Sequence, residues 1–142
     1  MNSTANATWT GDLKSGKGIV SAANAAFANV PYTFAKRFEG AAGAGTTPEE
    51  LIGAAHSACF AMASSGALSG AGFVPTQLDV TATVTLELVD GKQTVSKSHL
   101  ELKAQVPGID DAKFQEIVAG AKAGCPISRL LKAEISLDAK LV

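Results

Sequence analysis

Two cysteines and a histidine carry the most reactive side chains in this 142-residue sequence, and the two thiols sit in different local settings. Cys59 lies in HSACF, at the centre of PEELIGAAHSACFAMASSGALSGAG, a run that reads as a helix. Cys125 lies in GCPIS, just before a proline. A thiol attacks as its thiolate, and burial alone opposes ionisation, so a reactive cysteine needs an electropositive neighbour. In mid-helix Cys59 gains little from the helix dipole, and a cation has to come from elsewhere. Cys125 stands near a helix N-terminus, where backbone N–H groups favour a thiolate. Local physics alone favours Cys125 as the nucleophile. Taken singly, Cys59 also fits a small inert core residue, and His56 fits a hydrogen-bonded core or interface histidine.

The helix that holds Cys59 has clear start and stop signals. Thr47 suits the N-cap and Pro48 the first helical position, while Glu49 and Glu50 complement the positive helix end. The helix is predicted to run to about Ser69, where GAG ends it. At about 100° per residue, Glu49, Ile52, His56, Cys59 and Ala63 share one stripe. Beyond Glu50 the helix is nearly uncharged on every side, which marks a buried helix.

Around it, the first forty residues read as strands. Thr8 to Leu13 and Gly18 to Ala22 flank the turn KSGKG, and PYTFAKRF (31–38) alternates apolar and polar positions. Two long strands, Gln77 to Val89 and Gln93 to Val106, are predicted to join at Asp90-Gly91. A helix over Ala112 to Ala123 closes at Gly124, Cys125 and Pro126 open the short helix PISRLLK, and EISLDAKLV makes a last strand. Strands and helices come in blocks rather than in strict alternation. The expected fold is α+β with an antiparallel-rich sheet in a single domain, residues 1–142.

Composition narrows the function. Apolar residues make up 46% and charged residues 18%, which excludes a largely disordered chain. The formal net charge is -1 and no basic block stands out, so a nucleic-acid partner lacks electrostatic support. The start MNSTANATWTGDLKSGKG lacks the pattern of a signal peptide. Leu51 to Leu68, the longest weakly polar stretch, contains His56, Ser57, Ser64 and Ser65, which argues against a membrane span. A cytoplasmic protein with reduced cysteines is expected.

The segments RFEG (37–40), TPEELIGAAHSACF (47–60) and AGCPIS (123–128), with an early WTGDLKSGKG, set the two cysteines in specific contexts. In order and spacing they resemble the osmotically induced protein C and organic hydroperoxide resistance family of thiol peroxidases, over essentially the whole chain. The placement of the arginine in RFEG is similar to the osmotically induced branch. The resemblance implies a peroxidatic Cys59, a resolving Cys125, an Arg37 that stabilises the thiolate and a Glu49 that holds the arginine. Glu50 is adjacent, and only spacing to the cysteine separates the two carboxylates. The implied reaction reduces organic hydroperoxides, and hydrogen peroxide more weakly, to alcohols in oxidative and osmotic stress defence. It passes through a Cys59–Cys125 disulfide, with no cofactor or metal and with an external dithiol as reductant. Phe34, Phe38 and Phe60, with His56 and Glu50 nearby in sequence, are candidates for an apolar peroxide pocket. This choice reverses the one made from local physics.

Ten residues separate Glu49 from Cys59, roughly 15 Å along a straight helix. Two such helices packed antiparallel about a two-fold axis near Ala54 would bring Glu49 of one chain level with Cys59 of the other. Gly53, Ala54 and Ala55 are small enough for close packing there. A homodimer with composite sites is therefore expected. The resemblance likewise implies an intertwined dimer, its central helices enclosed by sheets. Three other readings compete with the peroxidase: a small-molecule- or lipid-binding module with inert cysteines, a metal site using His56, Cys59 and Cys125, and disulfide exchange, which the absence of a CxxC disfavours. The second lacks an evident fourth ligand, since His99 lies in a predicted strand.

Overall fold

The computed structural model describes all 142 residues, which fall into two compact units, Met1–Leu51 and Ile52–Val142. In the first unit, β1 (Ala5–Thr10), β2 (Lys17–Ala22) and β3 (Val30–Tyr32) form an antiparallel sheet in that order. β1 ends earlier than its sequence pattern suggested. Gly11 turns the backbone at φ +93°, and the Asp12 carboxylate accepts the N–H groups of Lys14 (2.9 Å) and Ser15 (3.0 Å). Such an Asx turn offers the chain an alternative to the ladder. Gly18 is required by close approach, because a Cβ there would fall 2.3 Å from the Tyr32 ring.

The strand expected over residues 31–38 stops at Tyr32 and is followed by a short helix, α1 (Phe34–Phe38). Thr33 caps it, its hydroxyl accepting the Lys36 N–H at 3.1 Å. The alternating pattern of PYTFAKRF misled because one capping threonine diverts the backbone before the strand can continue. Arg37 and Phe38 therefore project from a helical turn.

α2 (Pro48–Gly70) has 23 residues and both its ends are closed. At its start Thr47 Oγ1 accepts the Glu50 N–H (3.1 Å) and Glu50 Oε2 accepts the Thr47 N–H (2.9 Å), a reciprocal capping box. At its end Gly72 adopts φ +90°, Phe73 N–H returns to Leu68 O at 2.9 Å and Gly72 N–H to Ser69 O at 3.0 Å. That is a Schellman stop.

In the second unit, β4 (Gln77–Val89) and β5 (Lys92–Gln105) form a hairpin, and β6 (Glu134–Leu141) pairs with β5 in parallel. The sheets are thus two, each of three strands, and antiparallel except for this pair. Asp90 and Gly91 both take positive φ, 50° and 77°, as a two-residue hairpin turn needs. The ladder shifts register between Thr85 and Leu86, leaving Ser96 unpaired in a bulge. α3 (Asp111–Gly124) is capped by Asp110, which accepts the Lys113 N–H at 2.9 Å. α4 (Pro126–Leu130) follows at once.

The core of this unit is built from one face of each element. Ser98, Leu100, Leu102 and Ala104 of β5 point inward while Lys97, Glu101 and Lys103 point out. They meet Phe60 and Leu68 of α2 and Phe114 and Val118 of α3. On α2 the buried line is Gly53, His56, Phe60, Ser64 and Leu68. A Cβ on Gly53 would sit 3.1 Å from the Ala82 carbonyl, so its small size serves the contact with β4 rather than the helix–helix contact expected for it. Ala54, Ala55, Ala58, Met62 and Gly66 are exposed, so α2 is buried on one side only. By length and composition alone α2 could also cross a membrane, yet His56 and Ser64 sit in the packed face.

Candidate active site

Each unit assembles one group of the residues singled out in the sequence. In the first unit, the Arg37 guanidinium grips Glu49: Nη2 donates to Oε1 at 2.6 Å, and Nε donates to both carboxylate oxygens at 3.2 Å. The planar guanidinium suits such forked pairing. Glu49 is the better shielded partner, its side chain 12% exposed against 34% for Arg37. Glu50 has a different task. Besides the Thr47 N–H, its Oε2 accepts the Thr46 hydroxyl at 3.1 Å. The two neighbouring carboxylates are thus separated by function, one on the arginine and one on the helix cap.

The arginine also borders an apolar cavity of about 220 Å³ lined by Trp9, Leu13, Tyr32, Phe34 and Phe38. The Phe34 and Phe38 rings pack at 4.9 Å between centroids, and the guanidinium carbon lies 5.0 Å from the centre of the Phe38 ring. Cations favour that position over an aromatic face. Two of the three phenylalanines proposed for a pocket are therefore found in one. Phe60 and His56 are fully buried in the core of the second unit and Glu50 is in the cap, so none of these lines the cavity. Trp9, Leu13 and Tyr32 were not anticipated. They come from separate strands and turns, and nothing in their local sequence marks a pocket.

In the second unit, α2 carries Cys59 and the junction of α3 and α4 carries Cys125. Both are free thiols, with Sγ atoms 3.1 Å apart. Cys59 is half-buried and Cys125 fully buried. Their acidities move in opposite directions. Burial pushes the Cys59 thiol up, the hydrogen bond it shares with Cys125 pushes the same way, and the Ile127 N–H opposes them. Burial also works against ionising Cys125. It is outweighed by hydrogen bonds from the Ser128 N–H, the Cys59 thiol, the Ser128 hydroxyl and the Ile127 N–H, which bring Cys125 below the ordinary thiol value. Pro126 helps to present these N–H groups, since it starts α4 without needing a donor of its own.

His56 is 0% exposed and is held at both ring nitrogens. Nδ1 lies 2.7 Å from Ser98 Oγ on β5, and Nε2 lies 2.8 Å from Ser128 Oγ on α4. Burial pushes its pKa down, so the ring is neutral at ordinary pH. With both nitrogens engaged by hydroxyls, His56 has no free lone pair to offer a metal. The other histidine, His99, lies on β5 beside Ser136 (2.8 Å) and Asp138 (3.5 Å) of β6. Ser98 and Ser128 escaped the sequence reading. Ser128 left a usable signal, because a serine three residues after a helix-starting cysteine stands over the same turn.

The OsmC-like protein family model matches residues 40–140. Peroxiredoxin OsmC of Escherichia coli strain K12 is 53% identical over 135 residues, covering 95% of this chain and 93% of the relative. An organic hydroperoxide resistance protein of Xanthomonas axonopodis pv. citri is 31% identical, over 72% of this chain and 70% of its own. The crystal structure of the organic hydroperoxide resistance protein OhrB of Bacillus subtilis superposes with a TM-score of 0.70 at 21% identity, over 98% of each chain.

Proposed function

The chain belongs to the OsmC-like protein family, and from that premise we propose that it is a thiol-dependent peroxidase reducing organic hydroperoxides, and hydrogen peroxide more weakly, to alcohols and water. One observation carries the reading: two reduced sulfurs held 3.1 Å apart, about 1 Å beyond bonding distance. In this mechanism the Cys59 thiolate attacks the terminal peroxide oxygen and the O–O bond breaks. The leaving alkoxide takes a proton to become the alcohol, and Cys59 becomes a sulfenic acid. Cys125 then displaces the hydroxyl as water, forming a disulfide that an external dithiol reduces by exchange. No prosthetic group is needed for any step.

Within a single chain, however, Cys125 is the more acidic thiol. A Cys59 nucleophile therefore needs a cation, and Arg37, oriented by Glu49, is the group for that role. A guanidinium stabilises both the thiolate and the charge developing on the leaving oxygen. We place the pair across a homodimer. α2 is unbroken from Pro48 to Gly70, and its second face, with Ala54, Ala55, Ala58 and a 77% exposed Met62, is uncharged. Antiparallel packing of two copies along that face would set Glu49 of one chain beside Cys59 of the other. The cavity beside Arg37 would take the apolar part of the peroxide. α2 and the family match both run through the division between the two units, which supports reading the chain as one peroxidase domain. Its proposed setting is the cytoplasm, in oxidative and osmotic stress defence.

Mass spectrometry before and after one equivalent of cumene hydroperoxide tests the reaction. Loss of two hydrogens per chain is expected, and an unchanged mass with unreacted peroxide would overturn it. Steady-state rates should favour cumene and tert-butyl hydroperoxides over hydrogen peroxide. The opposite order would remove the cavity from the substrate site.

A further inference from the structure

The thiol pair lies beside a chain of hydrogen-bonded side chains in the interior of the second unit. Ser98 touches His56 Nδ1 at 2.7 Å, and His56 Nε2 touches the Ser128 hydroxyl at 2.8 Å. Ser128 stands three residues after Cys125 on the first turn of α4, where its hydroxyl helps to bring the Cys125 pKa down. Cys125 in turn donates to Cys59 at 3.1 Å. We propose that His56 is a positioning residue for the resolving step, accepting the Cys125 proton through Ser128 as Cys125 attacks the Cys59 sulfenic acid. The inference rests on the resolving role given to Cys125 above.

The proton count is set by the donors available. Ser128 has one hydroxyl proton and cannot give it to both neighbours. The Cys125 S–H, which donates to Cys59 in the resting pair, turns to Ser128 Oγ for the transfer, while Ser128 O–H donates to Nε2 and Nδ1–H donates to Ser98. On ionisation both protons move one place: Nε2–H now donates to Ser128, and Ser128 O–H donates to the thiolate. Nδ1 keeps its proton on Ser98, so the imidazolium is hydrogen-bonded at both ends. The Cys125 sulfur then gives its electron pair to the Cys59 sulfur, the S–O bond breaks, and hydroxide leaves. The His56 proton is available to complete a water molecule, which restores the neutral ring.

Three features fit this role better than simple core filling. The ring is neutral and sealed from solvent, as an acceptor for a buried thiol has to be. Its two hydrogen-bond partners are hydroxyls, which donate or accept as the proton moves, and neither is a carboxylate that would fix the charge. The titratable groups linked to it are Cys125, through Ser128, and Cys59 beyond. His56 also ties α2 to β5 and α4, so removing it disturbs packing, and the test needs readouts that packing alone does not move.

The first readout is the thiolate ultraviolet absorbance of Cys125, titrated with pH in a Cys59→Ala background. Adding Ser128→Ala or His56→Asn should move the midpoint to higher pH, and Ser128→Thr should restore it. A midpoint unmoved by both substitutions would overturn the relay whatever the role of Cys125. The second is stopped-flow kinetics with both cysteines present. Ser128→Ala should slow disulfide formation at least about tenfold, as expected for loss of a charge-assisted hydrogen bond, with more dimedone-trapped sulfenic acid. The slowing should be greater for disulfide formation than for the first oxidation. Equal slowing of both steps would mean a structural role and would also overturn the proposal. The resolving role itself is tested separately, by whether peptide mapping of the peroxide-treated wild-type chain finds an intramolecular Cys59–Cys125 disulfide; a sulfenic or sulfinic Cys59 beside a free Cys125 would overturn it.

Discussion

Cys59 and Cys125 are the same side chain 3.1 Å apart, yet their surroundings drive their acidities in opposite directions. Cys125 stands where α3 hands over to α4, within reach of the free N–H groups of Ile127 and Ser128. Cys59 stands mid-helix, where the backbone N–H groups around it are already bonded within α2. Burial opposes ionisation at both. What differs is the supply of donors, and that is set by where each residue falls along its helix. A thiol at a helix start can be prepared by its own chain, whereas a mid-helix thiol must be prepared by a side chain brought from elsewhere. The proposed division of labour follows: Cys59 depends on Arg37 and Glu49, and Cys125 on its own turn and on His56.

The largest effect is expected from removing each sulfur in turn. Cys59→Ser should reduce peroxide turnover to background, while Cys125→Ser should keep one rapid oxidation and then stall or over-oxidise. If Cys125→Ser abolishes the first oxidation and Cys59→Ser does not, the roles are reversed and single-chain acidity was the better guide. Next, Arg37→Ala should slow the first oxidation by about 10²-fold, the scale for losing one transition-state donor. It should also raise the pH midpoint of Cys59 alkylation in a Cys125→Ser background. An unmoved midpoint would remove Arg37 from the thiolate.

A smaller signal decides where the arginine's support comes from. Glu49→Ala and Cys59→Ser homodimers, each nearly inactive, should regain about a quarter of wild-type activity when refolded together. About half of such dimers are mixed and each carries one intact site. No recovery, with mixed dimers verified by mass spectrometry, would mean that Glu49 serves its own chain.

The smallest effect is on stability. Cys59 has a raised folded pKa, so its contribution is present below the ordinary thiol value, near 8.5, and is lost as pH rises through the folded one. Cys125 has a lowered folded pKa, so its contribution is present above that ordinary value and is lost as pH falls through the folded one. Urea denaturation should therefore show opposite slopes. A Cys125→Ala chain, keeping Cys59, should lose stability with rising pH, and a Cys59→Ala chain, keeping Cys125, should gain it. Parallel slopes would mean that the donor supply around the two sulfurs does not distinguish them.

Much of this molecule is written in local sequence. Thr47, Pro48 and Glu50 announce the start of α2, Asp90-Gly91 announces the hairpin, and Gly124 with Pro126 announces the break that exposes donors to Cys125. Each of these rests on backbone chemistry that acts over a few residues, so neighbours in sequence suffice to read it. The motif contexts of Cys59 and Cys125 likewise carry the family in sequence alone. Other features needed the assembled chain. The alternation in PYTFAKRF was legible but wrong, because a strand needs a partner to continue and Thr33 gave the backbone a local one first. Which of Glu49 and Glu50 meets Arg37 depends on a contact across 12 positions, competing with a cap that only Glu50 can close. The setting of His56 depends on serines 42 and 72 positions away, on a strand and a helix that pattern alone cannot bring together. The parallel pairing of β6 with β5 is of the same kind. Periodicity and capping are short-range and survive in the unfolded text of the chain. Hydrogen bonds between distant side chains exist only once packing has brought them within 3 Å of each other.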